Sequence, residues 1–176
     1  VMIGTPGQSY ASLAEDIALF AGMDLDMIGL GPYLPHPDTP LGRRPQPLPR
    51  GEQTPNSNDL ALRALALTRI CCPEANIPAT TAVSTNDPAE GYALALRRGA
   101  NVIMPNLTPP DYRSLYAIYP DKYVAGPDPE QTDRAVRDLL ARLGRPVAQG
   151  PGSRIHGRVH PPTAGPSAKA GSRRSA

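Results

Sequence analysis

Residues 27–41 read MIGLGPYLPHPDTPL, and the change of character along them decides the fold. The apolar run over 27–30 has the composition of a buried strand, and Gly31-Pro32 closes it. Pro35, Pro37 and Pro40 follow, each fixing its own φ and removing a backbone donor. The chain therefore leaves a strand into a stiffened loop, and loops at strand ends are where parallel sheets gather ligand-binding side chains. His36 and Asp38 in that loop can donate, accept or exchange protons, or they can satisfy the loop's own backbone groups.

The same pattern recurs on either side. Val1-Met2-Ile3 is an apolar strand end, and GTPGQS at 4–9 turns it into a helix with Leu13, Ile17 and Phe20 at i, i+4 and i+7. Ser12 and Glu15 have capping-box spacing, and Gly22 marks the expected stop. Further strands are predicted at 26–30, 77–82 and 101–104, with helices near 58–72 and 88–98. In the 58–72 helix Leu60, Ala64, Leu67 and Cys71 share a face, which leaves Arg63 and Arg69 to water. A Tyr-rich turn of helix and a helix over 129–143, with Val136, Leu140 and Leu143 on its inner stripe, complete the pattern.

Alternating strands and helices imply an α/β fold with a parallel sheet. Four such strand-helix units are too few to close a barrel, and strands apolar on both faces need cover on both sides. With its first strand at the first residue, the chain reads as the C-terminal half of a TIM-type (β/α) barrel. The alternative is a small open sheet complete in itself.

Composition sets the limits. Of 176 residues, 40% are hydrophobic and 19% charged, as in soluble globular domains, but 23 are Pro and 16 Gly. Those residues concentrate at 42–58 and after residue 144, so the folded domain is expected over 1–144, with a Pro-rich insertion at 42–58 read as a mobile loop. The basic segment 145–176, with five Arg, one Lys and no acid, reads as a disordered tail. It alone makes the chain basic, so no nucleic-acid face is indicated. Neither a membrane-length apolar run nor a signal peptide is present, which fits a cytoplasmic protein without a membrane partner. Cys71-Cys72 lack the spacing of a metal site and read as buried free thiols.

Four clusters could carry chemistry. In GTPGQS, small residues let backbone approach a ligand at a helix N-terminus, or form an ordinary tight turn. The PHPDTP loop offers His36 and Asp38. Thr80 and Thr81 end a strand with two hydroxyls, or serve only β propensity. Met104-Pro105-Asn106 precedes Tyr112, Tyr116 and Tyr119, whose spacing places three phenols on one helical face, as packing or as a ligand wall. His156 and His160 sit among Gly and Pro and read as tail residues.

MIGTPGQS, DLDMIGLGPYLPHPDTPL, LALTRI, NIPATTA, GANVIMPN and YRSLYAIYP, in this order over residues 1 to about 123, resemble the HydE family of radical S-adenosylmethionine maturases of FeFe-hydrogenase. Biotin synthase and methylornithine synthase look similar only in the general strand pattern and the Thr-Pro loop. The resemblance implies a TIM barrel in which a [4Fe-4S] cluster cleaves S-adenosylmethionine. It also implies an iron-carbonyl-cyanide precursor and the other hydrogenase maturation proteins as partners. Motif by motif, it puts Met2, Pro6, Gly7, Gln8 and Tyr116 beside S-adenosylmethionine. His36, Thr80, Thr81, Met104 and Tyr119 fall at the substrate cavity.

One departure outweighs these matches. There is no C-x3-C-x2-C, and adjacent Cys71-Cys72 cannot hold a cluster that leaves one iron open. The cluster ligands are therefore absent from this chain, a missing N-terminal half-barrel is the expected partner, and this polypeptide alone is expected to be inactive. The alternatives are a non-catalytic half-barrel binding module and a fragment of a radical enzyme like biotin synthase or methylornithine synthase.

Overall fold

The structure is a computed structural model that describes residues 1–105, 108–113, 115, 128–150 and 152–154. Asn106, Tyr116, Tyr119, His156 and His160 lie outside the described residues.

Strand β1 (Met2–Ile3) leads through the GTPGQS turn into α1 (Tyr10–Met23). The helix begins one turn earlier than Ser12 and Glu15 predict. Ser9 is the N-cap, accepting from the Ser12 amide at 3.0 Å while Ser12 Oγ accepts from the Ser9 amide at 3.1 Å. It ends past Gly22 on Asp24, a left-handed cap at φ 52°.

Strand β2 (Gly31–Pro32) pairs in parallel with β1, Met2 opposite Gly31 and Ile3 opposite Pro32. The ladder thus falls on the Gly-Pro end, C-terminal to the 26–30 run. That run instead approaches the next unit through a parallel bridge between Met27 and Asn76. Strand β3 (Pro78–Ala79) pairs in parallel with β4 (Val102–Ile103). The bridge sets the two pairs side by side in chain order, a mixed α/β architecture with short parallel strands.

The segment 77–82 is strand only at its start, because Thr80 caps a helix, α4 (Thr81–Asn86). The helix expected over 88–98 is α5 (Gly91–Arg97), which begins after a turn at 88–90, so α4 is an additional helix. Between β2 and β3 come a short α2 (Pro40–Arg43), capped by Thr39, and α3 (Asn58–Cys71), capped by Ser57. A turn α6 (Pro110–Arg113) follows β4, and α7 (Pro129–Arg142) comes last in the described chain.

Strand alternation sorts the sheet into two faces. Ile3, Ile28, Leu30, Ile77 and Ala79 are buried against Leu13 and Ile17 of α1, Ala61, Leu62, Ala64 and Leu65 of α3, Val83, and Ala95 and Leu96 of α5. The other face carries Met2, Met27, Gly29, Gly31, Pro78, Thr80 and Met104, and its methionines are exposed. The register is tight there: a Cβ on Gly31 would stand 2.6 Å from Thr80 Oγ1.

Two expectations for α3 are corrected by the packing. The inner face of α3 is Ala61, Ala64, Leu65 and Thr68, one residue round from the predicted stripe, so Leu67 and Cys71 are exposed. The helix touches α1 on one flank and β2, α4 and α5 on the other, and it turns its small residues to the closest approach. Arg63 does face water, paired with Asp59 at 3.0 Å, but Arg69 folds inward. It donates to the carbonyls of Gly99 (2.8 Å), Cys72 (3.3 Å), Pro73 (3.0 Å) and Ala75 (2.7 Å) and to Asn101 Oδ1 (3.0 Å). Burial lowers its pKa, yet these acceptors meet its donors.

The basic C-terminal segment is not free at its start. Arg145 donates to the Leu96 carbonyl at 2.6 Å. Arg154, buried, grips the Asp24 carboxylate and carbonyl and reaches Glu74, while Asn76 donates to the Gly152 carbonyl. The Pro-rich 42–58 segment is likewise fastened at its end. Thr54 is buried and donates to Gln8, and Asn56 donates to the Tyr33 carbonyl at 3.1 Å.

Candidate functional site

The uncovered sheet face opens into a cavity of about 590 Å³, within the roughly 300–1,000 Å³ of small-molecule sites. Its floor is Met2 of β1, 29–32 around β2, and Thr80 and Ala82 after β3; its rim is Tyr33, Leu34, His36, Thr39 and Leu41. The wall is mostly apolar, so each polar group on it matters.

The rim is held by the loop's own chemistry. Thr39 Oγ1 caps α2, accepting from the Gly42 amide at 3.0 Å and donating to the His36 carbonyl at 2.9 Å. This closes the loop so tightly that a Cβ on Gly42 would stand 2.0 Å from the His36 oxygen. His36 Nδ1 accepts the Asp38 amide at 3.1 Å, which fixes the neutral ring as the tautomer with its proton on Nε2. Asp38 also meets Arg43 at 3.3 Å, and Arg43 Nε donates to the Pro37 carbonyl at 2.7 Å. One edge of the imidazole thus serves the loop's own backbone, and His36 also lines the cavity.

Thr80 Oγ1 donates across the sheet to the Leu30 carbonyl at 3.1 Å. Its neighbour Thr81 opens α4, and its carbonyl accepts from Thr85 Oγ1 at 2.9 Å.

Met2, His36 and Thr80 are therefore brought together on one wall. Thr81 and Met104 are not part of it, and neither are Pro6, Gly7 and Gln8. The amides of the GTPGQS turn are engaged internally: Gly4 donates to Gln8 Oε1 at 2.7 Å and Gly7 to Gln53 Oε1 at 2.9 Å. Gln8 Nε2 reaches the Met2 carbonyl at 3.2 Å, so this side chain pins the turn to β1. Gln53 accepts from Gly7 and Leu48 and donates to Thr5 and Thr54, a hub that a Pro-rich flank gives no reason to single out. Tyr33 carries no such signal either, since in sequence it is one more largely apolar residue after a strand.

The donor set of the chain does not fit an iron-sulfur cluster. Among the described residues no three His, Cys, Asp or Glu side chains converge. Cys71 and Cys72 are free, at the far end of α3, the first exposed and the second half-buried. Burial, and then the neighbouring Cys71, push the Cys72 thiol up against the pull of Arg69 and Arg154, which opposes the thiolate form that iron requires.

Short parallel strands, helices on one face and a cavity on the other define a mixed α/β protein. The chain matches no protein-family model. It is 44% identical over 144 residues to the [FeFe] hydrogenase maturase subunit HydE of Thermotoga maritima, covering 82% of this chain. The chain thus matches part of HydE, spanning 38% of that protein's length. Among the described residues no helix is long and apolar enough to cross a membrane.

Proposed function

We propose that the chain is the substrate-side, C-terminal portion of a HydE-like radical S-adenosylmethionine enzyme, folded as the C-terminal half of a TIM-type barrel. The observation that carries this reading is the 44% identity to HydE over most of the chain. The sheet supports it. A face bearing exposed Met2, Met27 and Met104 beside the cavity is what a barrel interior looks like when its remaining strands are not present to enclose it. In this reading the partner is an N-terminal half-barrel that supplies the three cysteine ligands.

The chain's own contribution is a shaped wall. His36 and Thr80 border the substrate space with Thr81 and Met104 beyond them, and Met2 with the GTPGQS turn borders S-adenosylmethionine. When bound, the [4Fe-4S] cluster and S-adenosylmethionine supply the radical. The chain's residues position the substrate and exclude water from it.

The test is complementation. Reconstituted anaerobically with iron and sulfide, the chain alone should yield no 5′-deoxyadenosine. Co-expressed with the N-terminal portion of Thermotoga maritima HydE that it does not match, it should yield 5′-deoxyadenosine from S-adenosylmethionine. Turnover by the chain alone, or none in the complemented pair, refutes the reading.

A further inference from the structure

The segment after residue 144 has the composition of a free tail, yet it leads into a built site. From Arg145 to Arg154 it passes the end of α5, the turn before β3 and the turn between α1 and β2. Arg145 donates to the Leu96 carbonyl, Asn76 donates to the Gly152 carbonyl, and Arg154 reaches Asp24 and Leu25. Residues 146–150 are exposed throughout, so the fastening is polar and sits at the two ends.

What receives Arg154 suits a guanidinium. Its side chain is only 8% exposed. Nη1 donates to the carbonyls of Asp24 (2.9 Å) and Leu25 (3.3 Å), and Nη2 meets the Asp24 carboxylate and Glu74 Oε2 (3.5 Å). Asp24 is the left-handed cap of α1, so its turn presents carbonyls at the negative end of a helix, where a cation is favoured. Two carbonyls beside two carboxylates match a planar fork of donors better than a point charge. None of these residues lines the cavity.

The hold differs from that of Arg69, which stands on α3 with all three side-chain nitrogens bonded. Arg154 arrives on an exposed span, and its Nε has no partner among the described residues. No described residue of 146–154 belongs to the hydrophobic core, so withdrawing the span breaks polar contacts and leaves the core in place.

We propose that the Asp24–Leu25 turn and Glu74 form a guanidinium socket with Arg154 as its built-in occupant, and that the 145–154 strap leaves it as a unit, the domain still folded, opening the socket to an arginine side chain supplied from outside. A short tether holds its own arginine at an effective concentration of about millimolar or more, so the closed strap excludes competitors. The socket is independent of the HydE reading, and its test needs neither cluster nor S-adenosylmethionine.

The probes are N-acetylarginine amide and N-acetyllysine amide, titrated into the 176-residue chain and into its Arg154→Ala variant while the amide NMR signals of Asp24, Leu25 and Glu74 are followed. Arg154→Ala should still unfold cooperatively and should bind the arginine probe saturably, with a Kd of about 1–10 mM. The wild-type chain should bind that probe about tenfold more weakly, because its socket is filled. The lysine probe should bind Arg154→Ala about tenfold more weakly, because an ammonium cannot span carbonyls and carboxylates together. Adding Asp24→Asn should abolish the binding. Loss of cooperative unfolding in Arg154→Ala overturns the proposal, since the strap would then be part of the core. So does the absence of saturable binding to that variant, equal binding of the two probes, equal binding by the wild type, or binding that survives Asp24→Asn.

Discussion

Gly31→Ala tests the register on which both the sheet and the cavity depend. An added Cβ would stand 2.6 Å from Thr80 Oγ1 and 3.4 Å from Ala82 Cβ, and the first distance is not tolerable. Thr80 is β-branched and its hydroxyl is bonded to the Leu30 carbonyl at 3.1 Å, so it cannot yield without breaking that bond. Relief therefore removes one hydrogen bond and leaves a buried carbonyl poorly satisfied, a loss of about 1–3 kcal/mol. The assay is urea unfolding of a double-mutant cycle with Thr80→Ala, which deletes the obstructing oxygen. Each single variant should lose stability, and the double variant should lose about 1–2 kcal/mol less than their sum. Additivity to within about 0.5 kcal/mol would show that the hydroxyl does not press on β2, and the reasoning about this face would fail.

Three other outcomes follow from the same contacts. Arg69→Lys keeps the charge but cannot span the carbonyls of Gly99, Cys72, Pro73 and Ala75, so it should lose about 2–4 kcal/mol in the same unfolding assay. Gln53→Ala should release the amides of Gly7 and Leu48, measured as faster hydrogen exchange at those two positions, with about 1–3 kcal/mol of stability lost. Cys72 should alkylate more slowly than exposed Cys71, because its thiol is pushed up by burial and by Cys71. The folded state holds that proton to higher pH than the unfolded state. Its contribution is thus whole below the ordinary thiol range and declines as pH rises through it, and Cys72→Ala should flatten that decline.

What the sequence disclosed and what it hid divide along the range of the interactions. The α1 core positions Leu13 and Ile17 follow from periodicity, since a helix repeats its own geometry every few residues. The Pro-rich loop is equally local: Thr39, Pro40 and Gly42 fold on each other, so the PHPDTP run announces its own turn. Errors arose where a local signal had two outlets. Thr80-Thr81 suits a strand or a helix start, and the packing of α4 against β2 selects the helix. The stripe on α3 was displaced by one residue because periodicity gives the angle between residues, whereas neighbours on two flanks decide which angle faces in.

By itself the sequence determined the alternation of strands and helices, the stiff loop after the second strand, and the absence of a cysteine motif able to hold a cluster. Each of these is written in composition or short spacing. Only the tertiary structure decided that Met2, His36 and Thr80 share one cavity, that Gln53 anchors the GTPGQS turn and that Arg154 closes on Asp24 and Glu74. It alone showed that the Tyr33 hydroxyl is buried without a partner among the described residues. The reason is physical: hydrogen bonds and burial between segments far apart in the chain depend on how the strands register, and no neighbouring residue records that.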